Sequence, residues 1–207
     1  MLEDDEAIWI NHLVHRLANR QEIRAALGDL PISLEDAIET IDFLGATDTA
    51  DALTLLDAPF RIDSRYRPHP TRFTDGTWRV FYSALEPETV ENEVAHWCRK
   101  EFQSQPPALR RFHYKHLQCR LDGQAFDVRP RLKNWSFLTG DNTYPECQAL
   151  AAEAKSRGVD AILCPSARRP GGTTAPVFER RALSDPTIRD GIVLEIEASG
   201  EIRIVRA

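Results

Sequence analysis

The chain has 207 residues, of which 42% are hydrophobic, and a formal net charge of −6. This length and apolar content suffice for a sizeable core without metal or disulfide support, and the acidic balance argues against a nucleic-acid-binding protein, which needs a basic surface. No apolar run approaches membrane-spanning length and the first residues are acidic rather than basic, so we expect a cytoplasmic chain with no membrane partner.

The N-terminal residues carry apolar side chains at loosely helical spacing. This pattern predicts a first helix over residues 6–27. Ser33 can cap a second helix over residues 33–44, and a third is predicted over residues 47–56. We therefore expect an all-helical N-terminal extension over residues 1–58.

The sequence changes character near residue 59, where arginine, proline and turn formers replace the helical pattern. Helical signals return over residues 87–102 and 145–157. Period-2 patterns predict strands over residues 77–83, 113–121, 124–128, 159–164, 175–179, 192–196 and 202–205. The dipeptide Asp122-Gly123 predicts a hairpin between the second and third of them. Residues 59–207 are thus predicted to form an α+β domain with a mixed sheet.

Ser166 directly follows the predicted strand over residues 159–164, and mixed sheets often place ligand sites at such strand ends. The Gly-x-Ser-x-Gly pattern of a nucleophilic serine is absent, and no obvious histidine and acid follow it. The sequence therefore indicates a hydrogen-bonding serine. A serine that only caps a turn is the structural alternative.

Four motifs occur in order between residues 59 and 178. They are an arginine with a following aromatic and a glycine turn, a strand ending in tyrosine, a helix with a glutamate, and a proline-serine stretch. In this chain they read Arg72-Phe73, Val80-Phe81-Tyr82, Glu91-Asn92-Glu93 and Pro165-Ser166-Ala167-Arg168. Their order and spacing resemble the RES domain family, bacterial toxins named for an arginine, a glutamate and a serine. The chain departs from the usual residues of the family at Pro70-Thr71, Val90 and Thr174. Arg65 competes with Arg72 as the site arginine, although the number of residues between Arg65 and Tyr82 does not fit the family spacing.

The resemblance implies a fold similar to ADP-ribosyltransferases and a toxin that depletes NAD by cleaving its nicotinamide–ribose bond. NAD would be the substrate, as for an NAD glycohydrolase or NAD phosphorylase, with inorganic phosphate as a candidate co-substrate. The resemblance also implies a cognate antitoxin protein that covers the cleft. A protein ADP-ribosyltransferase and an inactive interaction module remain as alternatives, and a homo-oligomer stays open.

The same resemblance assigns the site residues. Glu93 would hold ribose hydroxyls and stabilise the developing cation, and Arg72 would bind pyrophosphate or ribose oxygens. Tyr82 would pack against nicotinamide or ribose, while Ser166 would bond the nicotinamide side or position Glu93. The expected catalytic set is therefore Arg72, Tyr82, Glu93 and Ser166, and the expected binding set is Arg72, Tyr82, Ser166 and Arg168.

Two further features are assigned on residue chemistry alone. The four cysteines match no zinc or redox spacing, and two histidine pairs, His12 with His15 and His113 with His116, lack a third ligand, so we expect no metal. Among the four tryptophans, Trp135 is expected to come nearest to a ligand.

Overall fold

The computed structural model describes residues 2, 7–19, 49–61, 70–103, 110–141 and 143–206. Within these residues, seven strands form one mixed sheet, and three α-helices pack against it. The strands are β1 (Ala7–Asn19), β2 (Phe81–Ala84), β3 (Arg110–Asp127), β4 (Ala161–Pro165), β5 (Thr173–Val177), β6 (Leu183–Ile196) and β7 (Ile202–Arg206). The helices are α1 (Thr49–Asp57), α2 (Pro87–Gln103) and α3 (Tyr144–Ser156). The predicted α+β class with a mixed sheet is confirmed.

The sheet closes partly on itself through β1. Its order is β1-β2-β5-β4-β3-β6-β7, and β1 also pairs with β3. Five strands, from β1 through β2, β5 and β4 to β3, therefore form a ring, and β6 and β7 extend it beyond β3. Strand β1 is antiparallel to β3 along its whole length but joins β2 at the pair His15–Ala84.

The all-helical extension predicted over residues 1–58 is wrong, because residues 7–19 form strand β1. Ile10, Val14 and Ala18 are buried in the ring, and their spacing of four residues satisfies a strand period of 2 as well as a helical period of 3.6. Long-range pairing with β3 decides between the two. The helix over residues 33–44 lies outside the described residues, the third helix is confirmed as α1, and the boundary at residue 59 stays a prediction.

The predicted hairpin at Asp122-Gly123 is also wrong, because β3 continues through both residues. Gly123 has a different use, since a Cβ placed there would lie 2.6 Å from a carboxylate oxygen of Asp160. The same carboxylate accepts a hydrogen bond from the Gln124 amide at 3.0 Å. The glycine therefore allows a close approach between β3 and the start of β4 rather than a turn.

The remaining predicted elements are present with shifted ends. Helices α2 and α3 cover the two predicted ranges, and Gly158 follows α3 with a φ of 77°. Strand β2 begins at Phe81 rather than at residue 77, because Trp78 is folded back. Its indole donates to the Phe73 carbonyl at 2.9 Å, and its own carbonyl accepts from Thr74 Oγ1 at 2.7 Å.

The core has two main parts on opposite faces of β4. Ala161 and Leu163 point into the ring, where β1, β2, β3, β5 and α1 bury their apolar side chains. Ile162 and Cys164 point outward, under α3. Strand β4 is thus buried on both faces, which holds its end at Pro165 in place and gives Ser166 a rigid support.

Candidate active site

A cavity of about 250 Å³ opens beside the ends of β2 and β4. Helix α2 forms one wall, the turn over residues 71–73 another, and the segment after β4 a third. Its lining side chains are mostly apolar, with three arginines and one carboxylate among them: Arg16, Leu17, Thr71, Arg72, Phe73, Tyr82, Ser83, Ala84, Val90, Glu93, Val94, Trp97, Leu138, Pro165, Ala167, Arg168 and Thr174. Four of the predicted site residues, Arg72, Tyr82, Glu93 and Arg168, therefore meet at one cavity.

The fifth predicted residue, Ser166, lies behind Glu93. It is 7% exposed, and its hydroxyl donates to Glu93 Oε1 at 2.6 Å. Ser166 Oγ in turn accepts hydrogen bonds from the backbone N–H groups of Arg168 at 3.1 Å and Arg169 at 3.0 Å. Since a hydroxyl has one proton and two acceptor sites, the two amides orient the proton towards Glu93. Ser166 is thus built to position the carboxylate and to cap the turn, which unites the two alternatives left by the sequence.

The turn that carries Ser166 is fixed by a tight contact at Gly172. The Ser166 amide donates to the Gly172 carbonyl at 2.9 Å, and the Gly172 amide donates to Arg169 at 3.0 Å. A Cβ at position 172 would lie 2.4 Å from Thr89 Oγ1, on the first turn of α2. Because α2 also carries Glu93, this contact sets the distance between the serine turn and the glutamate helix.

Tyr82 holds the arginine turn. Its hydroxyl accepts the Phe73 amide at 3.1 Å and is hydrogen-bonded to Thr71 Oγ1. Burial, partly offset by these hydrogen bonds, raises the pKa of Tyr82 above its usual value, so the phenol is neutral at physiological pH. Tyr82 therefore acts as a neutral hydrogen-bonding group that fixes the residues on either side of Arg72.

Arg72 is anchored to backbone. Its guanidinium donates to the carbonyls of Leu138 at 3.2 Å and Gly140 at 2.9 Å, and it lies 5.5 Å from the centre of the Tyr144 ring. These contacts hold a permanent positive charge at the cavity wall. Arg65, the competing choice, lies outside the described residues.

The two ends of the cavity differ in how much their side chains are exposed to solvent. At the inner end, formed by Arg72, Tyr82 and Glu93, the neighbouring Phe73 and Leu138 are at most 2% exposed. The mouth is lined by Trp97 and Arg168, and Lys100 and Asp141 lie beside these two residues. There the Trp97 residue is 49% exposed and the Asp141 side chain 68% exposed. Buried apolar side chains therefore screen the inner end, whereas Trp97 and Asp141 leave the mouth in contact with water, and the Arg168 side chain between them is 16% exposed.

Charges at the mouth lie close together. Arg168 donates to Asp141 Oδ1 at 2.6 Å, and this hydrogen bond lowers the pKa of the Asp141 carboxyl. Burial lowers the pKa of His96, and the nearby cations Arg168 and Lys100 lower it further. His96 is thus neutral at pH 7, and the permanent charges at the mouth are those of Arg168, Lys100 and Asp141.

Two residues at the cavity were missed by reasoning from sequence. Arg16 of β1 is 9% exposed and donates to the Tyr82 carbonyl at 3.1 Å, a contact that depends on the unexpected strand. Trp97 follows Glu93 by four residues on α2, and this spacing could have indicated a shared helix face. Trp135, the tryptophan expected near a ligand, stacks on Phe137 at 5.6 Å and is not among the lining residues.

The fold brings together one histidine from each of the two pairs that were named from the sequence. His15 Nδ1 lies 3.0 Å from His116 Nε2, across β1 and β3, and burial is the main reason why the pKa of His15 falls to about 4. The residues that the structure describes contain no group of three His, Cys, Asp or Glu side chains arranged to hold a metal ion.

None of the helices in the described ranges has the length and apolar character that a membrane crossing requires.

Comparison with known proteins gives a family match and structural matches. The family model described as the RES domain matches residues 47–196, and no curated protein matches the chain. Among solved structures, the chain is similar to the crystal structure of the M. tuberculosis MbcT-MbcA toxin-antitoxin complex, with a TM-score of 0.50 and 12% sequence identity. That match covers 95% of this chain and 90% of the other. At this identity it supports the fold.

Proposed function

Because the chain belongs to the RES domain family, we propose that it is the toxin of a toxin-antitoxin pair and depletes NAD by cleaving the nicotinamide–ribose bond. The observation that carries this proposal is the 2.6 Å hydrogen bond from Ser166 to Glu93. It fixes one carboxylate in a cavity that also holds Arg72 and Tyr82. A solvated helix glutamate would have no such partner.

Cleavage of this bond needs little proton transfer. The electron pair of the bond leaves with the nicotinamide nitrogen, which thereby becomes neutral, and the ribose carbon develops positive charge as in glycoside cleavage. A carboxylate held beside the ribose favours that charge and accepts hydrogen bonds from the ribose hydroxyls. In this proposal Glu93 carries out both tasks, and its hydrogen bond from Ser166 supports a fixed orientation.

The other charges suit the rest of the substrate. The pyrophosphate of NAD is anionic, and Arg72 and Arg168 both line the cavity. Arginine offers paired donors to phosphate oxygens and does not lose its charge. Tyr82 adds a neutral ring and hydroxyl beside Arg72. A cavity with one carboxylate inside and arginines around it matches a cationic sugar next to an anionic pyrophosphate.

The acceptor that completes the reaction is water or phosphate in this proposal. Its oxygen bonds to the ribose carbon, and a water molecule releases its proton to solvent. The products are nicotinamide with ADP-ribose or with ADP-ribose phosphate. The toxin-antitoxin complex among the similar structures supports the toxin assignment and an antitoxin partner. In this proposal the antitoxin covers the mouth of the cavity.

The test is to incubate the purified protein with NAD, with and without inorganic phosphate, and to separate the products by chromatography. We expect nicotinamide in equal amount to ADP-ribose or its phosphate. A requirement for phosphate selects phosphorolysis over hydrolysis. Label that moves from NAD to a protein would replace the proposal by an ADP-ribosyltransferase, and intact NAD in every buffer would leave a binding module.

A further inference from the structure

Trp97 is an exposed aromatic side chain at the border of the cavity. It is 49% exposed, although indole rings bury large apolar areas when they serve only as core. It lies on the same face of α2 as Glu93, one helical turn further on, which corresponds to about 6 Å along the helix axis. An aromatic surface is thus available at the mouth, at a fixed distance from the carboxylate.

The cavity is too small to enclose a dinucleotide. Its volume is about 250 Å³, whereas pockets that enclose drug-sized ligands have about 300–1,000 Å³. A substrate whose reacting bond lies beside Glu93 can place one nucleotide inside. Its second nucleotide then has to lie at the mouth, where Trp97 is.

The charges around Trp97 fit a group that follows a pyrophosphate. Lys100 Nζ lies 5.0 Å from the centre of the Trp97 ring, and Arg168 lies across the mouth. Both cations act electrostatically on His96, the residue next to Trp97, and the carboxylates of Asp141 and Glu93 offset them in part. Two cations therefore lie near the indole, although one of them, Arg168, is paired with Asp141. Phosphates are attracted to these cations, and a base attached to them can reach the indole face.

We infer that Trp97 is a substrate-binding residue that stacks on the adenine of NAD at the mouth of the cavity. This inference rests on the proposed function, since it names the part of the same substrate that lies outside the inner end. Stacking of a base on an aromatic side chain contributes equally to the bound substrate and to the transition state. Trp97 therefore lowers the KM for NAD and has little effect on kcat.

The experiment compares Trp97→Ala, Trp97→Phe and the control Trp9→Ala in nicotinamide release from NAD. Trp9 is also exposed, at 68%, but lies on β1 and does not line the cavity. We expect Trp97→Ala to raise the KM for NAD about tenfold and to change kcat less than about twofold. Trp97→Phe keeps a ring and stays near the wild-type KM, and Trp9→Ala equals the wild type.

Nicotinamide mononucleotide lacks the adenylate half of NAD. It therefore shows whether the effect of Trp97 depends on the adenine. It is used as a substrate, or as a competitive inhibitor of NAD cleavage if it is not cleaved. We expect its kcat/KM or inhibition constant to be the same in the wild type and in Trp97→Ala. Equal losses for NAD and the mononucleotide, or an unchanged KM for NAD, would overturn the assignment of Trp97. A wild type that leaves NAD intact would instead refute the proposed function.

Discussion

The inner end and the mouth of the cavity are built differently. At the inner end, Ser166 is held by two backbone amides, Tyr82 by the turn before β2, and Arg72 by two carbonyls. At the mouth, the Asp141 side chain is 68% exposed and Trp97 is 49% exposed, whereas the Arg168 side chain is 16% exposed and is held by Asp141. Fixed groups can favour a transition state without reorganising, whereas exposed, hydrated groups mainly add binding. Substitutions at the inner end should therefore lower kcat, and substitutions at the mouth should raise KM.

The largest effect is expected for Glu93→Gln. This change keeps the shape and an oxygen that can accept from Ser166 but removes the charge that the proposed function places beside the ribose. Loss of one fixed electrostatic group typically lowers kcat by about a hundredfold or more, and we expect that loss in steady-state nicotinamide release. Glu88→Gln, an exposed glutamate on the same helix, is the control. A kcat within threefold of wild type would remove Glu93 from the chemistry.

Ser166→Ala tests whether positioning alone matters. It leaves Glu93 without its donor and two amides without their acceptor, so we expect kcat to fall by about ten- to hundredfold. The unpaired amides should also reduce the free energy of unfolding by about 1–3 kcal/mol, measured in urea. Ser156→Ala removes a hydroxyl that bonds a carbonyl at the exposed end of α3, and both quantities should stay unchanged. Equal behaviour of the two variants would mean that the serine does not position Glu93.

Tyr82→Phe is expected to have an intermediate effect. The hydroxyl that holds the arginine turn is lost while the ring stays, so kcat should fall by about tenfold. Because burial raises the pKa of Tyr82 above its ordinary value, the wild-type rate should show no alkaline loss from this phenol up to about pH 9. A pH–rate profile measures this directly. An alkaline loss below pH 9 that Tyr82→Phe abolishes would show that Tyr82 ionises, against this structure.

The smallest effects belong to the charges at the mouth, where two substitutions should act in opposite directions. Arg168→Gln removes a phosphate donor and should raise the KM for NAD by about fivefold without lowering kcat. Asp141→Asn removes the opposing carboxylate, and its KM should fall by about twofold, since the carboxylate of this ion pair is exposed. Both shifts should shrink in high salt. If either variant changes kcat rather than KM, the distinction between the two ends fails.

Local sequence patterns could predict the part of the site that lies on one continuous stretch of chain, from Arg72 to Glu93. The turn, strand β2 and helix α2 follow one another directly, so the spacing of Arg72, Tyr82 and Glu93 carries over into space. The predicted strand before Ser166 was enough to predict that this serine lies at a strand end. Its bond to Glu93 depends on the contact between Gly172 and Thr89, which no local pattern indicates.

The parts that sequence patterns missed depend on distant pairing. A four-residue apolar spacing fits a helix and a strand equally, and only the ladder with β3 decides that residues 7–19 are extended. Arg16 enters the cavity for that reason. The role of Gly123 also depends on a distant residue, because Asp160 occupies the space where a Cβ of residue 123 would lie. The dipeptide Asp122-Gly123 by itself is typical of a turn.

The most direct test of the central claim is a time course of NAD followed by proton NMR, with the wild-type protein and Glu93→Gln side by side. We expect free nicotinamide signals to replace those of NAD with the wild type, and NAD to persist with Glu93→Gln. NAD that persists with the folded wild type, or nicotinamide released equally by both proteins, would contradict an NAD-cleaving site built on Glu93.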